Sequence, residues 1–353
     1  MRAKGFQGTI ANRKGATWGT AVAGGAGHGV YGLALATPGN TQLVEQKSLT
    51  GKITRRPSLL GNRIVDVTLK VELTYEGLET TLALLWGTAG VPSVVDTSAR
   101  LHPLKLKDDL DGIFSTVAYE LLKDTQVVEI PSVKWFRATL RAKSGEAIEL
   151  EMQGIGFDYV TDSVINTTTT IDTVTYPSNR EVAMFGHSAW EMNAQGGAGL
   201  GSSPLYTVGW EVTVERAFDR RISTRFGTKT SEPVPNGFAK VSGTWEFEIL
   251  EDGTGGNASL MADQIAGNAK KATCTITGTT LAGAATQKFQ HKLWFPHILL
   301  GEGKPDISDA GAVVWSQPWE SFHVLTIPTG FTAGYLDACT YEIYSQKTTD
   351  ALA

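Results

Sequence analysis

The chain has 353 residues, 41% hydrophobic and 19% charged. That is long enough for two domains of ordinary size, and the composition excludes disordered, collagenous and coiled-coil classes. Thirty-one Lys and Arg against 36 Asp and Glu leave a net charge of −5, without the basic excess of a protein that grips nucleic acid. No apolar run reaches about 18 residues, the length of a helical membrane span. The opening Met1-Arg2-Ala3-Lys4-Gly5-Phe6-Gln7-Gly8 lacks the apolar stretch of an export signal, so synthesis in a cytoplasm is expected.

In chain order, residues 14–62 are rich in Gly, Thr and Arg and read as a polar arm suited to subunit contacts. Ile64–Glu76 is the clearest strand. Val65, Val67, Leu69, Val71, Leu73 and Tyr75 fall on one face; Asp66, Thr68, Lys70, Glu72, Thr74 and Glu76 fall on the other. Gly77 ends the alternation, and Leu78, Leu82, Leu85 and Trp86 then recur at helical spacing up to Gly87. A strand-like stretch at Ile113–Leu122 follows. Next comes a hairpin of Val133–Leu140 and Ala147–Gly154 about the turn Lys143-Ser144-Gly145-Glu146.

A boundary is expected after Val160. Thr167–Thr170 and the Gly-rich 195–203 have linker composition. The grammar then returns. Val241, Gly243, Trp245, Phe247 and Ile249 alternate with Ser242, Thr244, Glu246 and Glu248. The turn Glu251-Asp252-Gly253 leads to a helix capped by Asn257, carrying Leu260, Met261 and Ile265 and ending at Gly267. A strand pair, Ala272–Thr277 and Gln287–Phe295, follows it. Long strand, short helix, strand pair occurs twice, which reads as an internal duplication in which Ile113–Leu122 is extra to the first copy. The expected fold is mainly β: two tandem sandwich or barrel domains at 1–160 and 206–353, each with a short flanking α-helix, joined by a linker and Gly-rich arm at 161–205.

Four stretches carry a resemblance. They are Gly8-Thr9-Ile10-Ala11 with Thr17-Trp18-Gly19-Thr20-Ala21; Phe114-Ser115-Thr116-Val117 to Glu120; Pro235-Asn236-Gly237-Phe238-Ala239-Lys240-Val241-Ser242-Gly243; and Leu293-Trp294-Phe295-Pro296 with Gly311-Ala312-Val313-Val314 to Phe322. Together with Val133–Leu140 and the turn at Gly145 they resemble the strands and turns of the major tail tube proteins of long-tailed bacteriophages. The pattern covers most of the chain, apart from 23–62 and 161–205, and has no invariant signature. The resemblance implies a structural virion protein, with no enzymatic activity and no cofactor, whose sheets join between copies into a barrel around a pore. Stacked rings then form the tube through which genomic DNA leaves without specific binding. A tape measure protein and a tail terminator are the further partners it implies.

Joining sheet edges around a ring removes the unpaired backbone groups that edges expose. With the tube fold in both halves, three chains would make a pseudo-sixfold ring, preferred here to a hexamer. The pore-facing residues would be Asp66, Thr68, Lys70, Glu72 and Thr74, with Ser242, Thr244, Glu246 and Glu248. Four acids and one base among these nine would repel phosphate.

Other chemistry finds little support. The histidines lack HxxxH and HExxH spacing, and Pro296 is expected to interrupt the strand between His291 and His297. Asp109-Leu110-Asp111-Gly112 opens like a calcium loop without its later ligands and reads as a turn. Gly24–Gly27 and Gly197–Gly201 read as loops, with no Gly-Lys-Ser/Thr. Glu149 and Glu151 share a face, as a hydrolase pair or a solvated surface would. Cys274 and Cys339 read as buried free thiols. Trp86 and Trp245 read as core, and Trp315 and Trp319 as a subunit contact or terminal packing. The alternative function is a carbohydrate-binding or virion decoration β-sandwich.

Overall fold

The computed structural model describes residues 8–37, 39–44, 59–88, 90–122, 126–201, 204–222, 227–248, 260–306 and 314–352. In chain order the strands are β1 (Ile10–Lys14), β2 (Gly32–Ala36), β3 (Gly39–Val44), β4 (Leu59–Glu72), β5 (Ser93–Val94), β6 (Arg100–Lys105) and β7 (Ser115–Leu122). They continue with β8 (Gln126–Lys143), β9 (Glu149–Gly156), β10 (Ser188–Ala194), β11 (Pro204–Leu205), β12 (Gly209–Glu215), β13 (Phe218–Asp219) and β14 (Val234–Pro235). The last are β15 (Lys240–Glu248), β16 (Lys270–Thr280), β17 (Lys288–Leu300), β18 (Lys304–Asp306), β19 (Val314–Ser321) and β20 (Thr340–Ser345). The helices are α1 (Glu79–Trp86), α2 (Thr168–Asp172) and α3 (Leu260–Ala266). None among the described residues is long and apolar enough to cross a membrane.

The protein is mainly β and antiparallel, and all strands except the β13–β14 ribbon are bonded into one sheet. The same path of pairings occurs twice. In the first half β1 pairs with β7, β7 with β8, β8 with β9 and β9 with β4. In the second, β10 pairs with β16, β16 with β17, β17 with β19 and β19 with β15. The register agrees in detail. Val133 is opposite Ser115 on one side and Gly156 on the other; Ile298 is opposite Lys270 and Ser321. Beside each, the ladder slips, between Ser115 and Val117 and between Lys270 and Ala272.

Pro131 and Pro296 lie within these two slips. A proline removes a donor, and at a bulge the donor is not needed for a rung. β17 therefore runs through Pro296, contrary to the interruption expected there. The pairings also set β7 in the position of β16. Ile113–Leu122 is thus not an extra stretch, and the expected match of the two hairpins is one strand out of step.

The alternation of β4 is reproduced in burial: Val65, Val67, Leu69, Val71, Leu73 and Tyr75 are all buried. The strand itself starts earlier than expected, at Leu59, and stops at Glu72. α1 is buried all round and ends at Gly87, whose φ of 83° is the left-handed C-cap conformation. α3 differs from expectation: Leu260 is buried, but Met261 and Ile265 are exposed. Ile249, the turn Glu251-Asp252-Gly253 and Asn257 lie outside the described residues.

A single hydrophobic cluster draws on both halves. Trp86 and Trp245 are fully buried in it, and Trp315 and Trp319 pack in the same core. Trp319 lies across β15 because its partner in register is Gly243, where any Cβ would overlap the indole ring and the Glu211 carbonyl. Cys274 and Cys339 are free and buried.

Candidate functional site

One face of the sheet is polar and spans both halves. β8 changes partner along its length: its N-terminal part pairs with β7, and Arg137–Lys143 pairs with Glu215–Gly209 of β12. β12 pairs in turn with β15, and β15 with β19. The strands β4, β9, β8, β12, β15 and β19 therefore stand side by side in that order. Their inward residues, such as Leu69, Leu150, Leu140, Val212 and Trp245, are buried. Alternation then forces the intervening polar residues onto the opposite face.

Ion pairs cross the joint between halves, stepping from one row of the sheet to the next. Lys70 Nζ is 3.0 Å from Glu151 Oε2, and Arg141 Nη1 is 3.7 Å from the same oxygen. Arg141 Nε donates to Glu211 Oε2 at 2.7 Å. Thr139 and Thr213 hydroxyls meet at 3.1 Å in the row of Lys70 and Glu151. Burial raises the Glu151 pKa, but the hydrogen bonds from Gln153 and Lys70 and the charges of Lys70 and Arg141 outweigh it and hold the carboxyl below its usual value. The hydrogen bond to Glu211 raises Arg141. Arg216, at the end of β12, donates to the carbonyls of Leu85, Trp86 and Lys107 at 2.8, 2.8 and 2.6 Å. It so caps the C-terminus of α1 and ties the second half to the first; burial lowers its pKa to about 10.

Glu151 has a depressed pKa when folded, so its contribution is present above the unfolded value and lost as pH falls through the folded one. Glu151→Gln is expected to lower stability by up to about 1 kcal/mol at pH 7, as for an exposed pair. Thermal melts of both proteins should converge as pH falls from the ordinary glutamate value of about 4.3 through the lower folded one. A gap that stays constant throughout that fall would remove the carboxylate from the account.

The structure brings the two expected polar sets onto one surface. Asp66 and Lys70 are exposed, Thr68 and Glu72 half-buried, and so are Ser242, Thr244 and Glu246. Asp66 pairs with Arg220. Thr74 leaves the row as a correction: beyond the end of β4 it is buried, its hydroxyl donating to the Glu76 carbonyl at 2.9 Å. Glu248 is opposite Val314 in the ladder, and its side chain lies outside the described residues. The two long strands are separated by β9, β8 and β12. On the same face β9 and β12 add Glu149, Glu151, Glu211 and Glu215, and β8 adds Arg137, Arg141 and Lys143, so the surface keeps an acidic excess while holding a row of bases between its acids.

Sequence reading missed β12, although Trp210, Val212 and Val214 alternate there with Glu211, Thr213 and Glu215. It also took Glu149 and Glu151 apart from the polar sets, where Glu151 is engaged with Lys70 and Arg141.

Elsewhere, a cavity of about 490 Å³ is lined by Asn12, Arg13, His28, Glu76, Glu79 and Lys347 among others. Three of its charged groups are already engaged: Glu76 accepts from the Gln346 N–H, Glu79 from the Gly77 N–H, and Lys347 donates to the Thr80 hydroxyl. His291 is packed, bonded to the Thr74 carbonyl and the Tyr341 hydroxyl, and burial lowers its pKa to about 4. The 109–112 stretch is a turn in which the Asp111 N–H donates to Asp109 Oδ1.

A search of curated proteins finds no match. A family model described as phage tail tube protein matches residues 5–333. The chain belongs to the phage tail tube protein family, whose members are structural components of the virion.

Proposed function

We propose that the protein is the tail tube subunit itself, assembling with further copies into stacked rings whose bore is the polar sheet face. The observation that carries the reading is the unbroken run of β4, β9, β8, β12, β15 and β19, polar on one side and backed by a shared core on the other. A hollow tube needs such a wall, wetted inside and held rigid from behind. Asp66, Thr68, Lys70, Glu72, Ser242, Thr244, Glu246 and Glu248 would face the bore. DNA would pass a lining with an acidic excess, whose bases Lys70 and Arg141 are paired to Glu151 and Glu211 and are not free to hold phosphate.

The doubled pairing path, with its two slips and two prolines, supports a tandem duplication. Three copies would then give a ring with pseudo-sixfold symmetry. β10 lies in the 161–205 stretch and pairs with β16 as β1 pairs with β7, which supports starting the second repeat at Ser188. A tape measure protein inside the tube and a terminator at its end are the partners this role requires.

Electron microscopy of the purified protein is expected to show rings or hollow filaments. A persistent monomer retained on carbohydrate resin would favour the decoration or sugar-binding role instead. In phage carrying Glu246→Lys and Glu248→Lys, tails should form while DNA ejection slows. Ejection at the native rate from intact tails would refute the lining.

A further inference from the structure

The sheet that carries the polar face ends in strands with open sides. β2 and β3 run in one line antiparallel to β4, and no described strand pairs with their outer side. At the far end β18 pairs with β19 alone among the described strands. Unpaired N–H and C=O groups on such edges are templates for another strand.

The joint inside the chain shows which strand fits. Arg141 of β8 is opposite Glu149, which is opposite Glu72 of β4. In the second half Asp306 of β18 is opposite Val314, which is opposite Glu248 of β15. Asp306 thus holds the place of Arg141. Ala36 of β2 is opposite Thr68, and Glu211 of β12 is opposite Thr244, each partner lying the same distance along its strand from Glu72 or Glu248. Ala36 thus holds the place of Glu211. Within the chain, Glu211 and Arg141 are directly opposite each other.

We infer that β2 of one copy pairs antiparallel with β18 of the next, with Ala36 opposite Asp306, so that the joint between copies repeats the β8–β12 joint within each copy. The inference rests on the tube reading, and the partner is a second copy of this chain. β2 has the sequence Gly-Leu-Ala-Leu-Ala and exposes Leu33 at 55%, an apolar edge that a lone subunit leaves unprotected. On the polar face, between β12, β15, β19 and the end of β17, lies a groove of about 520 Å³ lined by Thr213, Ser242, Thr244, Leu299, Pro318 and Phe322 among others. At the internal joint the chain just beyond β12 stays bonded to β8, the Arg216 N–H donating to the Phe136 carbonyl at 2.7 Å. β3 of the neighbouring copy would continue the joint past β2 in the same way. Each copy uses one edge of each kind, so the contact is heterologous, and with two repeats per chain three copies would complete the pseudo-sixfold ring proposed above.

The test joins the two edges covalently. Cys274 and Cys339 are buried, so cysteines added by Ala36→Cys and Asp306→Cys report alone. The assembled double variant, treated with a short bismaleimide, is expected to give a ladder on a denaturing gel that stops at three chains. Each single variant should stay monomeric. Rings seen by microscopy without a ladder would overturn the edge assignment and leave the tube reading standing. A ladder running past three chains would overturn the closure. Absence of any ring from the native protein would instead overturn the tube reading. If the double variant fails to assemble, amide exchange in the native protein decides. Slowing by about tenfold or more at 33–36 and 304–306 on assembly supports the pairing, and unchanged rates at either segment overturn it.

Discussion

Trp245→Ala is expected to cost about 3–5 kcal/mol, the range for truncating a large aromatic in a packed core. The side chain is fully buried, stacked on Trp319 at 5.0 Å between centroids and edge-on to Trp190 at 5.4 Å. Both partners would lose their contacts along with it, and such ring pairs add about 0.5–1.5 kcal/mol beyond area burial. Because β15 lies between β12 and β19, a collapse there loosens the middle of the wall rather than a border. Thr244→Ala, one residue away on the opposite face, should stay within about 0.5 kcal/mol. Denaturant midpoints of the two variants measure the contrast directly. Equal, small losses at both positions would mean that β15 does not present its faces as described.

Glu232→Ala should be comparably severe, for a different reason. Lys134 has a fully buried side chain whose Nζ lies 2.7 Å from Glu232 Oε1, and the same oxygen accepts the Gly112 N–H at 2.9 Å. Removing the carboxylate leaves a buried ammonium without its counter-charge, a loss of about 3–5 kcal/mol for such pairs. Lys134 stands where β8 passes from β7 to β12, so the damage falls on the joint between halves. Adding Lys134→Met to Glu232→Ala is expected to recover most of the stability, since an apolar side chain of similar length needs no partner. A mild Glu232→Ala, or a double variant no better than the single, would show that the charge pair is not what holds this crossing.

Much of the molecule was legible before folding was considered. The alternation at 65–75 correctly assigned the buried side of β4, and the spacing of Leu78, Leu82, Leu85 and Trp86 located α1. The failures share a cause. Thr74 keeps the alternation in sequence, yet the chain has left the sheet by then and bridges to Val182. Pro296 looks like a break, and only its position at a ladder slip makes it harmless. Ile113–Leu122 looked surplus because its counterpart is defined by partners, and Ile265 shows helical spacing on a side that this subunit leaves exposed.

By itself the sequence determined the β class, the two faces of each long strand and the pairing of aromatic residues with the core, because side-chain alternation is a local steric property. The tertiary structure alone decided which strands lie together: that β12 joins β8, that both polar sets share one surface, and that Lys70, Glu151, Arg141 and Glu211 are linked by ion pairs across four strands. Every strand offers the same backbone donors and acceptors, so partner choice comes from how the whole set of apolar faces can be buried at once.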